Sequence, residues 1–122
     1  MRSPTASWRS GRLLVVMTMA LAACKSGAAD CPQNLPASCP AQPPSYRQTV
    51  AAVIARECTG CHAPDALQSD RDLSTYAGLY ANRGAVLDQV YACNMPPAGS
   101  PSLDTADRVL LLTWLVCGSP NN

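Results

Sequence analysis

The feature that most constrains this chain is the segment CTGCH at residues 58–62, which has the pattern C-x-x-C-H. Two thiols at this spacing can each add across one vinyl group of a haem, and the adjacent imidazole can then bind the iron. The Thr and Gly between the cysteines are small enough to let the turn close. The pattern therefore predicts one covalently attached haem c, held by Cys58, Cys61 and His62.

Three other interpretations of the motif compete with haem. The C-x-x-C pair can be a redox-active dithiol of the thioredoxin kind, but the βαβ pattern that accompanies such a pair is missing. The pair can also form half of a zinc site with His62, although no second C-x-x-C or H-x-x-H supplies further ligands at a usual spacing. The motif can finally be a coincidence, because this chain of 122 residues contains seven cysteines. Haem is preferred because two further features agree with it.

The first of these features is the segment NMPP at residues 94–97, which contains Met95. A thioether is a common second axial ligand of c-type haem, and the two prolines restrict the backbone so that the sulfur can be held toward iron. The alternative is that Met95 fills the core, although a loop position before two prolines suits a filler poorly. The second feature is Pro64, whose carbonyl is expected to accept the other imidazole N–H of His62. A simple turn is the alternative for Pro64.

Residues 1–23 have the pattern of a signal peptide that is removed from the mature protein. Arg2, Arg9 and Arg12 precede an uncharged apolar run of 11 residues, whereas a membrane-spanning helix needs about 20. The run ends in LAAC, which resembles the bacterial lipobox and predicts cleavage before Cys24 and lipidation of its thiol. The alternative is an ordinary signal peptide whose cleavage happens to leave a cysteine.

The predicted lipid anchor places the mature protein in the cell envelope, outside the cytoplasm. Lys25 stands where some bacteria use Asp to retain lipoproteins in the inner membrane, which favours the outer membrane. The precursor has a net charge of +1, and removal of three arginines leaves six basic and eight acidic residues, a net charge of −2. This charge is too small to attract nucleic acid, so no nucleic-acid partner is expected. We expect a monomer, and its expected partners are redox proteins of the envelope.

Proline and hydrophobic patterns divide the mature chain. Residues 24–45 are the lipidated Cys and a Pro/Ala-rich tether, 46–118 form the domain, and 119–122 are a tail. Helices are predicted at 46–57 after a Ser45 cap, at 73–80 after an Asp72 cap, at 84–92, and between Asp104 and Gly118. Prolines make 93–101 a loop. No segment alternates long enough for a strand, so the fold class is all-α. The apolar positions expected to face the core are Tyr46, Val50, Val53, Ile54, Val86, Leu87, Val90, Tyr91, Leu111, Trp114 and Leu115.

A small class I cytochrome c domain is what the chain resembles over about residues 46–118, in the leading helix at 46–58, the motif, Pro64, the NMPP loop and the terminal TADRVLLLTWL segment. The resemblance implies three to five helices around one haem, with the leading and terminal helices crossing. It also implies covalent attachment through Cys58 and Cys61, with His62 as the proximal and Met95 as the distal ligand. This chain departs from some relatives because Lys25 is the only lysine of the mature protein, so a lysine-ringed docking face is absent.

The four remaining cysteines, Cys31, Cys39, Cys93 and Cys117, are disulfide candidates with three possible pairings. We favour Cys93–Cys117 together with Cys31–Cys39, because the first bridge would attach the Met95 loop to the terminal helix. The alternative for Cys117 is a buried small apolar residue.

Three functions are compatible with these features. The preferred one is a lipid-anchored monohaem c-type cytochrome that transfers single electrons. We expect no enzyme, because no titratable catalytic group is visible beside the expected iron. The second is a haem-based ligand-binding or sensing module, in which Met95 leaves the iron. The third is a disulfide-rich structural lipoprotein without haem.

Overall fold

The computed structural model describes Cys31 and residues 35–122, and this part of the chain is helical without β-strands. The all-α class is therefore confirmed for it. The predicted signal peptide, the lipidation site Cys24 and the first part of the tether lie outside the described residues. None of the described helices has the length and apolar character needed to cross a membrane. The helical elements are a π-helical turn at Tyr46–Val50, α1 at Ala51–Glu57, a 3-10 turn at Ser69–Arg71, α2 at Tyr76–Ala81, α3 at Arg83–Tyr91 and α4 at Thr105–Val116.

The leading turn and α1 form the predicted first helix, and Ser45 caps it as expected. The Ser45 hydroxyl accepts a hydrogen bond from the backbone N–H of Gln48 at 3.2 Å. The carbonyl of Asn122 in turn accepts the Arg47 N–H at 3.0 Å and the Ser45 hydroxyl at 2.7 Å. The start of the leading helix is thus bound to the far end of the described chain.

Helix α2 begins three residues later than predicted, and its cap is a different residue. Thr75 accepts the N–H of Gly78 at 3.1 Å, whereas Asp72 accepts the N–H of Ser74 at 2.8 Å. Hydrogen bonding to Ser74 also lowers the pKa of Asp72. The physical reason is the conformation of Thr75, which is extended, with φ of −121° and ψ of 158°, and whose side chain caps the helix that follows. The Leu73 N–H donates to the carbonyl of His62 at 2.9 Å, so the residues before Thr75 connect α2 to the C-x-x-C-H turn.

Helix α4 has the predicted beginning and end. Asp104 accepts the N–H of Ala106 at 2.8 Å, and Gly118 follows the helix with φ of +94°. The helix packs against α3 and against the leading turn. Trp114 is fully buried, and its indole N–H donates to the carbonyl of Pro120 at 3.0 Å. The buried core consists of Val50, Val53, Ile54, Leu73, Leu79, Val90, Leu111, Leu112, Trp114 and Leu115.

All four candidate cysteines form disulfides, but the pairing that we favoured is wrong. Cys31 is bonded to Cys93 and Cys39 to Cys117, with Cα–Cα distances of 5.8 and 5.5 Å. Cys93 follows α3 and Cys117 follows α4, so each disulfide lies at the end of one helix. Cys31 and Cys39, which were predicted to pair with each other inside the tether, are therefore covalently joined to the helical domain.

Candidate cofactor site

A cavity of about 590 Å³ lies between the end of α1, the loop that follows it, α3 and the loop before α4. Cys58, Cys61, His62 and Met95 all line it. The volume falls in the range of roughly 300–1,000 Å³ that is usual for small-molecule and cofactor sites. The aliphatic part of the wall consists of Leu67, Leu73, Ala85, Val86, Val90, Leu103 and Leu111. The structure thus brings the predicted attachment and axial residues to one apolar cavity.

The C-x-x-C-H motif is held as a compact turn at the end of α1. The N–H groups of Cys58 and Thr59 donate to the carbonyl of Ile54 at 2.9 and 3.1 Å. The N–H groups of Cys61 and His62 then donate to the carbonyl of Cys58 at 3.1 and 2.9 Å. These bonds continue the helical winding through the motif. Both cysteines and the histidine are therefore presented from one short, well-bonded segment.

The two motif cysteines are free thiols, whereas the other four described cysteines are bonded in pairs. Cys61 is exposed and Cys58 is half-buried. Burial raises the pKa of the Cys58 thiol to about 11, and the negative charge of Glu57 adds to this rise. Because the thiolate is the reactive form, Cys58 is an unreactive thiol near neutral pH in the protein without cofactor.

The imidazole of His62 has a buried Nδ1 atom that finds no hydrogen-bond partner among the described residues. The hydrogen bond that we expected to the carbonyl of Pro64 is not formed, and Pro64 is exposed and does not line the cavity. A buried polar atom without a partner costs about 1–3 kcal/mol, so most such atoms in folded proteins are satisfied. An imidazole at a cavity wall with an unpaired buried nitrogen is compatible with a ring that binds a group in the cavity.

Met95 follows a tight turn at the end of α3. The N–H of Cys93 donates to the carbonyl of Val90 at 3.1 Å, and the N–H groups of Asn94 and Met95 donate to the carbonyl of Gln89 at 2.9 and 3.2 Å. This is the Schellman pattern of a helix end. The Met95–Pro96 peptide bond is cis. The loop therefore leaves the helix in a defined direction and brings a half-buried Met95 to the cavity wall.

The described residues offer no site for a metal ion bound by protein side chains alone. Among the residues that the structure describes, no group of three or more His, Cys, Asp or Glu side chains could hold a metal ion. The zinc interpretation therefore finds no further ligands there. A porphyrin brings four nitrogen ligands itself and needs from the protein only axial ligands, such as one imidazole and one thioether. The residues present fit a covalently attached haem.

Arg108 contacts the end of α3, and the sequence-based predictions did not include it. Its side chain is buried, with a relative exposure of 5%, and its guanidinium donates to the carbonyls of Val90 and Tyr91. Those carbonyls belong to the last turn of α3, where the helix dipole favours a cation, and the Val90 carbonyl also accepts the N–H of Cys93. Burial lowers the pKa of Arg108. The sequence feature that could have indicated its burial is the position of a single arginine next to the apolar run of α4.

Comparisons of the chain with models of protein families, with curated proteins and with solved structures found no match. The resemblance to class I cytochromes c therefore depends on the residues of this chain alone. Those residues are the CTGCH motif, the Met95 loop and the terminal helix.

Proposed function

We propose that this protein is a lipid-anchored monohaem c-type cytochrome of class I, which passes single electrons between redox proteins of the cell envelope. The observation that carries the proposal is that Met95 lines the same cavity as Cys58, Cys61 and His62. Met95 lies far outside the motif in sequence, so its place at this cavity is independent support. The aliphatic wall of the cavity suits the apolar faces of a porphyrin.

In this proposal each of the four residues has one role. Cys58 and Cys61 attach the haem through thioethers, while His62 and Met95 are its axial ligands. A bound haem supplies a one-electron carrier, because its iron alternates between the ferric and ferrous states. A thioether opposite an imidazole raises the reduction potential relative to two nitrogen ligands. The leading and terminal helices are proposed to cross beside the haem, as the resemblance implies.

The electron would enter and leave at the exposed rim of the cavity. Cys61 is exposed there, and Leu67 has a relative exposure of 87%. No lysine lies among the described residues, but the exposed Arg56 and Arg71 and the acidic Glu57 also line the cavity. We therefore propose that a redox partner docks here through apolar contacts and these few charges, without a ring of lysines.

The proposed location rests on the sequence and on the disulfides. Cys24 would carry the lipid, with the domain outside the cytoplasm and Lys25 favouring the outer membrane. Two disulfides support an oxidising compartment, because such bonds rarely persist in a reducing cytoplasm.

The decisive experiment is export of the full chain in a host that has c-type cytochrome maturation machinery. We expect the product to retain a haem stain on a denaturing gel, to show a c-type α-band when reduced, and to yield one peptide carrying haem on both Cys58 and Cys61. The matched control is the double variant Cys58→Ser/Cys61→Ser, which keeps His62, Met95 and both disulfides and should lose the stain. A colourless product with both thiols unmodified would favour a structural lipoprotein instead.

A further inference from the structure

Helices α3 and α4 end in similar turns, but different residues occupy the left-handed position. After α4 this position is Gly118, with φ of +94°, and the next N–H, of Ser119, donates to the carbonyl of Trp114 at 3.0 Å. After α3 it is Cys93, with φ of +55°. Glycine adopts this conformation without steric cost, whereas a residue with a Cβ atom is strained in it. Cysteine at residue 93 therefore costs conformational energy that glycine would avoid.

The sulfur of Cys93 forms the disulfide with Cys31, which is 62 residues earlier in the chain. The Cys31 sulfur lies 3.4 Å from the carbonyl oxygen of Tyr91 and 3.7 Å from the guanidinium of Arg108. The strained turn is thus attached to a second chain segment and packed against a buried side chain of α4. A strained residue persists where its surroundings hold it, and here the disulfide does so together with the backbone hydrogen bonds of the turn.

The strained turn lies directly before the proposed axial ligand. Cys93 precedes Met95 by two residues, and the N–H of Met95 bonds back to the carbonyl of Gln89 at the end of α3. Any change in the turn therefore moves the Met95 backbone. None of the four disulfide cysteines lines the cavity, but Met95 beside Cys93 does, whereas no residue within two positions of Cys39 or Cys117 lines it. The turn after α4 also contains a residue with positive φ, Ser119 at +49°, but it is not attached to a cavity residue.

Building on the proposed function, we propose that the Cys31–Cys93 disulfide positions Met95 at the haem, and that its reduction by a dithiol opens the axial position to a small ligand. Without the crosslink, Cys93 loses the bond that holds its left-handed conformation. The turn relaxes, and Met95 leaves its place at the cavity wall. The disulfide is thus a positioning element that makes axial ligation dependent on thiol redox state.

The reduction itself is an ordinary thiol–disulfide exchange. One sulfur of the dithiol attacks a sulfur of the Cys31–Cys93 bond and forms a mixed disulfide, and the second sulfur of the reductant then displaces the protein thiol. The dithiol gives up two electrons and two protons and becomes a cyclic disulfide. Cys31 and Cys93 each take up one electron and one proton and become thiols.

A titration of the intact haem-loaded protein with dithiothreitol tests this proposal. At each step the thiols are alkylated and mapped by mass spectrometry, and the ferrous protein is exposed to CO at neutral pH. We expect CO binding to be slow before treatment and to rise at least tenfold as Cys93 becomes alkylated. CO binding that is already rapid in the untreated protein, is unchanged after Cys93 reacts, or follows Cys117 instead would overturn the proposal.

Two double variants separate positioning from general destabilisation. Cys31→Ser/Cys93→Ser should bind CO rapidly, whereas the matched Cys39→Ser/Cys117→Ser should remain as slow as the parent. A third, Cys31→Ser/Cys93→Gly, should recover slow CO binding, because glycine adopts the turn without strain. Equal behaviour of all three variants would overturn the proposal. If Cys31→Ser/Cys93→Ser does not fold, the titration of the intact protein still shows whether CO binding follows reduction of the Cys31–Cys93 bond. Failure of the proposed function is distinguishable, because that protein would contain no covalent haem.

Discussion

At the scale of single residues, substitution of Met95 tests the proposed six-coordinate haem. Met95→Leu keeps an apolar side chain of similar volume but removes the sulfur. We expect this variant to retain covalent haem, to bind CO rapidly when reduced, and to have a lower midpoint potential than the parent, since the thioether raises it. Absorption spectroscopy and potentiometry measure both effects. Val109→Ala, on the exposed face of α4 and away from the cavity, is the control and should change neither.

A second residue-scale prediction concerns the Cys58 thiol in the protein made without haem. Burial holds its pKa at about 11, so at pH 8 Cys58 is almost entirely protonated. Iodoacetamide should therefore label the exposed Cys61 first, and labelling of Cys58 should accelerate only as the pH approaches 11. Glu57→Gln removes a negative charge that disfavours the thiolate, and it should accelerate Cys58 labelling. Peptide mass spectrometry measures each rate, and equal labelling of both cysteines at pH 8 would contradict the assignment.

At the scale of elements, the connection between the motif and α2 depends on close backbone packing. A Cβ atom placed on Gly78 would overlap the carbonyl oxygen of Asp72, which is backbone and cannot rotate away. The same atom on Gly84, near the start of α3, would meet no atom within 4 Å. The two glycines therefore differ in what alanine does to them, although both lie in helices.

We expect Gly78→Ala to lower the free energy of unfolding by about 1–3 kcal/mol, through overpacking against Asp72. Gly84→Ala is the matched control and should raise it by up to about 1 kcal/mol, because alanine reduces the entropy of the unfolded chain and favours the helix. Urea denaturation followed by circular dichroism gives both values. Similar effects of the two substitutions would show that α2 does not pack as described.

At the scale of the whole molecule, each disulfide closes a long loop, with sequence separations of 62 and 78 residues. In the chain-entropy description, loops of this size contribute roughly 4 kcal/mol each by restricting the unfolded chain. Cys39→Ser/Cys117→Ser should therefore lower the unfolding free energy by about that amount, as measured by denaturation under non-reducing conditions. The parent under reducing conditions should lose at least as much. A loss below about 1 kcal/mol would mean that the bond contributes little to the fold.

Features that depend on neighbours in sequence were predictable from the chain alone. Ser45 and Asp104 cap their helices because a short polar side chain reaches N–H groups two or three residues ahead. Gly118 ends α4 because only glycine takes the left-handed conformation without cost. The C-x-x-C-H motif likewise forms its turn through hydrogen bonds between near neighbours, whereas its attachment of haem stays a prediction. In these cases the partners lie within one helical turn of each other.

Only the tertiary structure decided the features whose partners are distant in sequence. The hydrogen bond from the Leu73 N–H to the carbonyl of His62 joins the C-x-x-C-H turn to the segment before α2, and no local pattern predicts it. The burial of Arg108 and the pairing of Cys31 with Cys93 depend on which residues the fold brings to the ends of α3 and α4. Local propensities contain no information about these contacts, because loop closure and core packing select them for the whole chain at once.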